Sequence, residues 1–338
     1  MAKISIALAT YNGGKYLREQ LESLAEQTLL PTELQARDDG STDDTIAILE
    51  EFRSRAPFDV RIHRNTKNLG HGLNFVQTAM RCSGDWIAFC DQDDVWLPNK
   101  LAACAAEIAK APSDLRLLTH PVLVVDEKLE RRFAEKEVGG STLHPCLSLP
   151  PSWFAPGFTL IFDRHLLGGS MSPAEETFAR LGHDLWISQL ANATGSIVRT
   201  PARLALYRRH GGATTSGMAY EALYHGLWSR LRFHLRGCAK DYVDQTKTLH
   251  ALAEALQGRA GTTNEREVAP LLIEAADRVR KYATTIEARV KVHGERSVAR
   301  RMTSWQRLRS QGAYAHGDWP LGRSAALKDL LRVFVPAR

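Results

Sequence analysis

The chain is poor in residues that staple or anchor a protein. Its five cysteines, Cys82, Cys90, Cys104, Cys146 and Cys238, are scattered over 338 residues without a C-x-x-C pair. An odd, unpaired set argues against a disulfide framework and a zinc cage, and suits a reducing cytosol. No apolar run reaches the roughly 18 residues of a membrane-crossing helix. The apolar stretch 4–9 is short for a signal sequence and leads into Asn12-Gly13-Gly14 with no cleavage site, so secretion is not expected. Internal repeats and low-complexity tracts are missing too. Nor is one charge in excess over the first two thirds: residues 1–220 carry 23 Lys+Arg and 26 Asp+Glu, whereas 221–338 carry 21 and 12. The formal net charge of +6 therefore comes from the last third.

What is present is an ordinary folded composition, 44% hydrophobic, long enough for two units or one large α/β unit with an appendage. Residues 4–9, 33–36, 60–63 and 86–90 read as strands. Between them lie helical patterns carrying Leu17, Leu21 and Leu24, then Ile46, Leu49 and Phe52, then residues 73–80. Ser41 or Thr42 is expected to cap the second helix, with Asp43 and Asp44 in its first turn. This alternation predicts a mostly parallel sheet with helices on both faces, which binds ligands beyond the carboxyl ends of its strands. Polar clusters fall there: Thr10-Tyr11-Asn12, Asp38-Asp39 and Asp91-Gln92-Asp93-Asp94. Further on, 115–125 and 158–162 read as strands, 131–151 as a loop, and a helix starts near His183-Asp184. Residues 220–300 are helical in pattern with a polar break at 258–264. The expected units are 1–218 and 219–338.

Asp91 and Asp93, two residues apart past a buried strand, can address one hard cation such as Mg²⁺ or Mn²⁺, leaving its other positions for water and phosphate. A solvated acidic turn is the bland alternative. Asp38-Asp39 divides evenly between a turn that caps the next helix and a carboxylate for the imide N–H of a uracil or thymine. His210, in Tyr207-Arg208-Arg209-His210-Gly211-Gly212, is either a third metal ligand on a closing loop, with Arg208 or Arg209 on the phosphates, or a surface histidine in a basic turn.

Thr10-Tyr11-Asn12-Gly13, Gln27-Thr28, Asp38-Asp39-Gly40-Ser41-Thr42-Asp43, Asn68-Leu69-Gly70, and Gly84-Asp85 leading into Asp91-Gln92-Asp93-Asp94-Val95-Trp96 together resemble a family 2 glycosyltransferase, whose fold is GT-A. Trp96-Leu97-Pro98-Asn99-Lys100 and the later His183-Asp184-x-Trp186 are similar to its bacterial rhamnosyltransferase-like branch. The resemblance implies a nucleoside held by Thr10, Tyr11 and Asp39, with Asn12, Asp38, Asn68, Gly70 and Gln92 beside the nucleotide. Asp91 would serve ribose and metal, and Asp93 would be the main metal ligand. Asp184 falls at the catalytic base, its helix-start position helping to keep it ionised. His183 would be its hydrogen-bonding neighbour, and Gly157 and Trp186 would border the acceptor. The Q-x-x-R-W motif of processive members is missing: Gln306-Arg307-Leu308-Arg309-Ser310 lacks the tryptophan.

Residues 291–338 hold ten Lys+Arg against three acidic residues, interleaved with Trp305, Leu308, Tyr314, Trp319 and an apolar end. Such a segment suits an anionic membrane surface, and equally a helical cap or an oligomer contact. No nucleic-acid motif accompanies it. The expectation is an inverting, metal-dependent transferase moving one sugar from a dTDP- or UDP-linked donor, such as dTDP-rhamnose, to a lipid-linked glycan in bacterial surface polysaccharide synthesis. It would be cytoplasmic and peripheral on the inner face of the plasma membrane. The alternatives are a non-catalytic sugar-nucleotide binder in an assembly complex and a nucleotidyltransferase.

Overall fold

Ile4–Thr10 (β1) is buried at every position, as expected of a strand covered on both faces. In the computed structural model, which describes residues 2–130, 132–134, 139–168, 175–211, 239–315, 319 and 321–334, β1 lies between two parallel neighbours, β2 (Glu33–Asp38) and β4 (Trp86–Cys90). Strand β3 (Asp59–Arg64) adds outside β2. The helices α1 (Leu17–Ala25), α2 (Thr45–Arg53) and α3 (His71–Ala79) make the connections. Beyond β4 the sheet continues through β10 (Ile161–Asp163), antiparallel to both its neighbours, then β6 (Leu115–Thr119), β11 (Ser196–Arg199) and β9 (Thr142–His144). A small second sheet pairs β5 (Val95–Trp96), β12 (Ala205–Arg208), β7 (Leu123–Val125) and β8 (Arg132–Ala134). Helix α4 (Lys100–Lys110) follows β5, and α5 (Glu175–Thr194) precedes β11.

Four expectations are corrected. Residues 115–125 are not one strand, because Pro121 cannot donate to a ladder and the chain turns there into the second sheet. Residues 131–151 are not all loop, since β8 and β9 lie within them. The segment 157–159 is a 3₁₀ turn closed by Thr159 N to Pro156 O (2.9 Å) and Leu160 N to Gly157 O (2.9 Å), so β10 starts later. The polar break falls at 263–267, because α6 (Ala239–Thr262) runs through Gly258 and Gly261.

Helices α6 and α7 (Val268–Gly294) pack along each other and against α5. Leu249, Leu252 and Leu256 of α6 and Leu272, Val279 and Ile286 of α7 belong to one buried cluster with Phe75, Phe162, Trp186 and Leu190. The first two helices after residue 238 thus share a core with the sheet. Past them, α8 (Val298–Ser310) and α9 (Gly322–Phe334) close a separate small core of Val292, Leu308, Tyr314 and Val333. The expected boundary near 218, Gly212 and Cys238 lie outside the described residues.

Candidate active site

A cleft of about 1160 Å³ opens at the carboxyl ends of β1 and β4. Its floor is the β1–α1 loop, held by side chains from three other segments. Gln92 grips Tyr11 twice, accepting from its N–H (2.9 Å) and donating to its carbonyl (3.1 Å). A Cβ on Gly13 would lie 2.2 Å from Gln92 Oε1, so only glycine lets this grip form. Asn12 takes a positive φ of 47° and accepts from Thr42 N (2.9 Å). Gly14 N donates to Asp43 Oδ2 (2.9 Å), and Asp43 Oδ1 accepts from Thr45 N (3.1 Å). Asp43, not Ser41 or Thr42, therefore serves the start of α2; Ser41 donates instead to Asp38.

The two adjacent aspartates separate. Asp38 is fully buried, accepts from Gly40 N, Ser41 N and Thr10 Oγ1, and does not line the cleft. Asp39 does line it. Its carboxylate accepts from Asn65 Nδ2 (2.8 Å), Leu69 N (2.8 Å) and Gly70 N (2.9 Å), while Asn68 Nδ2 donates to its carbonyl (3.1 Å). Neither residue caps the next helix in sequence; Asp39 braces the turn into α3 instead. Gly70 there has φ +80°, a conformation that favours glycine.

Past β4 three carboxylates crowd together. Asp93 Oδ2 meets His210 Nε2 at 2.9 Å, and Asp91 Oδ1 lies 3.6 Å from His71 Nε2. Burial, then the charge of Asp91, pushes the Asp93 carboxyl above its ordinary range. The Asp94 carboxyl is pushed further the same way; one of its oxygens accepts from Arg208 N (3.0 Å) and the other has no protein partner. Among the described residues, no group of three His, Cys, Asp or Glu could hold a metal unaided. The Asp91 and Asp93 carboxylates by themselves suit a Mg²⁺- or Mn²⁺-type ion, which takes one or two protein carboxylates and completes its shell with water and phosphate.

Of Arg208 and Arg209, the two candidates for the phosphates, Arg208 is engaged within the protein. It is buried, and its guanidinium donates to Asp93 O (2.9 Å), Glu127 O (2.7 Å) and the Glu19 carboxylate. It braces the loop that carries His210. Arg209 donates to the Tyr207 hydroxyl (2.7 Å) and is not among the cleft-lining residues.

Asp184 lines the same cleft, just after the point where α5 is broken at Gly182 (φ +71°). A Cβ at Gly182 would lie 2.8 Å from Asp184 Oδ1, so the break leaves room for the carboxylate. Burial pushes this carboxyl up; the hydrogen bond from Leu185 N (2.8 Å) pulls down but does not win. The N–H at this helix start thus favours the ionised form, and burial outweighs it. His183 is corrected as well: neither ring nitrogen has a protein hydrogen bond, and the ring stacks on Phe75 at 4.1 Å. Burial, then His71, holds it well below its ordinary value, hence neutral. Gly157 packs directly on it, since a Cβ there would lie 2.2 Å from His183 Nε2. Trp186 is a core residue against Phe178 and does not reach the cleft.

Sequence reasoning missed three contributors. His71 follows the noted Asn68-Leu69-Gly70 directly. Burial works against its charge, yet Asp91, then Asp184 and Asp93, more than offset that and raise its imidazole. Glu127 accepts from Tyr16 OH (2.9 Å) and Lys15, with no local signal to reveal it. Lys100 is fully buried, its Nζ donating to Phe158 O (2.7 Å) over the Trp96 ring, and burial lowers it to about 8.

Residues 5–167 match the family model described as Glycosyl transferase family 2. An uncharacterized protein of Mycobacterium bovis is 29% identical over 211 residues, 55% of this chain and 61% of that protein, so the chain spans under two thirds of such a relative. The dTDP-rhamnosyl transferase RfbG of Shigella flexneri is 37% identical over 98 residues, 28% of this chain and 34% of that one. The crystal structure of Staphylococcus aureus TarS 1–349 in complex with UDP superposes with a TM-score of 0.51 at 19% identity, covering 95% of each chain. At that identity the likeness is one of fold, and the fold is GT-A.

Proposed function

We propose, from the premise that residues 5–167 are a family 2 glycosyltransferase domain, that the chain transfers one sugar from a nucleoside-diphosphate donor to a glycan hydroxyl with inversion. The observation that carries this reading is one cleft lined by Asp39, by the Asp91–Asp93 pair and by Asp184. Asp39 meets the base, its Oδ2 having a single protein donor in Gly70 N. Thr10, Tyr11, Asn12 and Gln92 floor the nucleoside, and Asn68 and Gly70 border it. Asp91, Asp93 and His210 would hold Mg²⁺ or Mn²⁺, which when bound neutralises charge on the departing diphosphate.

Asp184 takes the acceptor proton as the hydroxyl attacks the anomeric carbon opposite the leaving group. A carboxyl raised by burial is a stronger base near neutral pH than a free one. Similarity to RfbG supports a dTDP-rhamnose donor, and the TarS complex with UDP supports a pyrimidine nucleotide. The acceptor is a lipid-linked glycan, and the exposed Leu327, Leu331 and Phe334 of α9 support peripheral seating on an anionic membrane. A thermal-shift panel of dTDP-, UDP- and GDP-sugars with and without Mn²⁺ tests the reading. A metal-dependent shift with dTDP or UDP donors is expected; a preference for GDP would remove Asp39 from the base.

A further inference from the structure

Phe154 lines the same cleft, yet its side chain is 52% exposed. That exposure is not looseness of its loop. Leu147 N donates to Asn192 O (2.7 Å), and the buried Asn192 amide exchanges two bonds with Leu149, at 3.2 and 3.0 Å. Buried Gln189 donates to Pro150 O (3.0 Å) and Trp153 O (2.5 Å). On the other side, Lys100 holds Phe158 O and Gly157 packs on His183. The loop is thus fastened to α5, the helix that carries Asp184, and its neighbour Trp153 packs against the core. Of the aromatic rings that line the cleft, Tyr11 and Phe154 are each about half exposed, 50% and 52%; Tyr11 belongs to the β1–α1 loop, and Phe154 is the uncovered ring on the loop fastened to α5. An aromatic ring so placed leaves about half its surface in water unless a ligand covers it.

Pyranose rings present a flat face of axial C–H groups that stacks on an aromatic ring, while an open-chain polyol presents no fixed face. We infer that Phe154 is the platform for the acceptor, and that the acceptor's reacting residue is a pyranose, lying on Phe154 with a hydroxyl directed toward Asp184. The inference rests on the transferase reading and adds the acceptor class and the residue that selects it.

Saturation-transfer NMR on the full chain tests it, with methyl α-rhamnopyranoside, methyl α-mannopyranoside and ribitol as probes in the presence of UDP and Mg²⁺. For the unaltered chain the pyranoside C–H protons are expected to saturate at least about threefold more than those of ribitol. Phe154→Ala should abolish that excess and Phe154→Trp retain it, with uridine saturation constant throughout. Ribitol saturating equally, or a pyranoside excess surviving Phe154→Ala, overturns the platform. Missing uridine saturation in the unaltered chain refutes the nucleotide reading separately, whatever the pyranosides do.

Discussion

Asp329, near the end of the chain, is fully buried and met by four donors: Arg289 at two 2.8 Å contacts, His293 Nε2 at 2.8 Å and the Tyr314 hydroxyl at 2.9 Å. Asp91, Asp93 and Asp94, at the end of β4, stand beside one another with one imidazole close by and another 3.6 Å off. Burial alone would raise the carboxyls of Asp329, Asp93 and Asp94. At Asp329 the hydrogen bonds from His293 and Arg289 overcome burial and hold it below the ordinary range. At Asp93 the bond to His210 does not, and the carboxyl is raised. The overall charge balance runs the other way, since the basic third holds the satisfied acid and the acidic part the unsatisfied ones. A saturated buried carboxylate ties elements together; a crowded, under-neutralised set is left for something else to neutralise.

The largest effect should come from Asp184 in the cleft. Asp184→Asn is expected to lower transfer about 10²–10⁴-fold while nucleotide affinity stays within twofold. Single-turnover rates and calorimetric titration of UDP would measure the two; normal turnover would remove Asp184 as the base. Because its carboxyl is raised, the rate should fall as pH drops through a value above the ordinary ~3.9 of an aspartate.

Next in size is the opposite region. Asp329→Ala strands the buried Arg289 and should destabilise the chain by about 3–5 kcal/mol in urea melts, with UDP affinity of the folded fraction unchanged. The sign is fixed by its lowered carboxyl: the stabilisation is complete above the unfolded value and is lost as pH falls through the folded one. If nucleotide affinity falls in step with stability, the two regions are not independent. Asp93→Asn should run in the other direction. It removes a like charge from a crowded set, so the metal-free chain should melt at or above the parent, by about 1 kcal/mol at most, while metal-dependent donor binding is lost. A lower melting temperature would mean that the Asp93–His210 contact is structural.

The same contrast marks what could be read without coordinates. Strands β1 and β4 were legible because buried strands leave continuous apolar runs, and their polar ends coincide with the cleft, whereas β2 and β3 carry charged residues and show only short apolar alternation. The partners of the charged residues were not. Arg208 reads locally as a basic turn, but its guanidinium is taken by Glu19, which lies far away in sequence on α1. Asp39 reads as a cap for the helix that follows it and instead braces the turn into α3. Trp186, two residues from Asp184, faces the core because one step of two along a helix reverses the face. Lys100 gave no signal of burial at all, since lysine is seldom buried fully.

The smallest expected effect concerns the basic third's outer face. Leu327, Leu331 and Phe334 recur at spacings of four and three along α9 and are 59%, 42% and 60% exposed. They contribute little to the small core of Val292, Leu308, Tyr314 and Val333, which faces the other way. Replacing all three with serine should therefore change stability by no more than about 0.5 kcal/mol. Flotation with vesicles containing phosphatidylglycerol should nevertheless drop by about tenfold, because each large side chain buried at an interface contributes through the area it removes from water. Neutral phosphatidylcholine vesicles should bind neither form well, since the basic excess of residues 291–338 acts only on an anionic surface. Unchanged flotation of the triple variant would leave this helix as a cap on the fold, and the charge difference between the two regions would then bear on solubility alone.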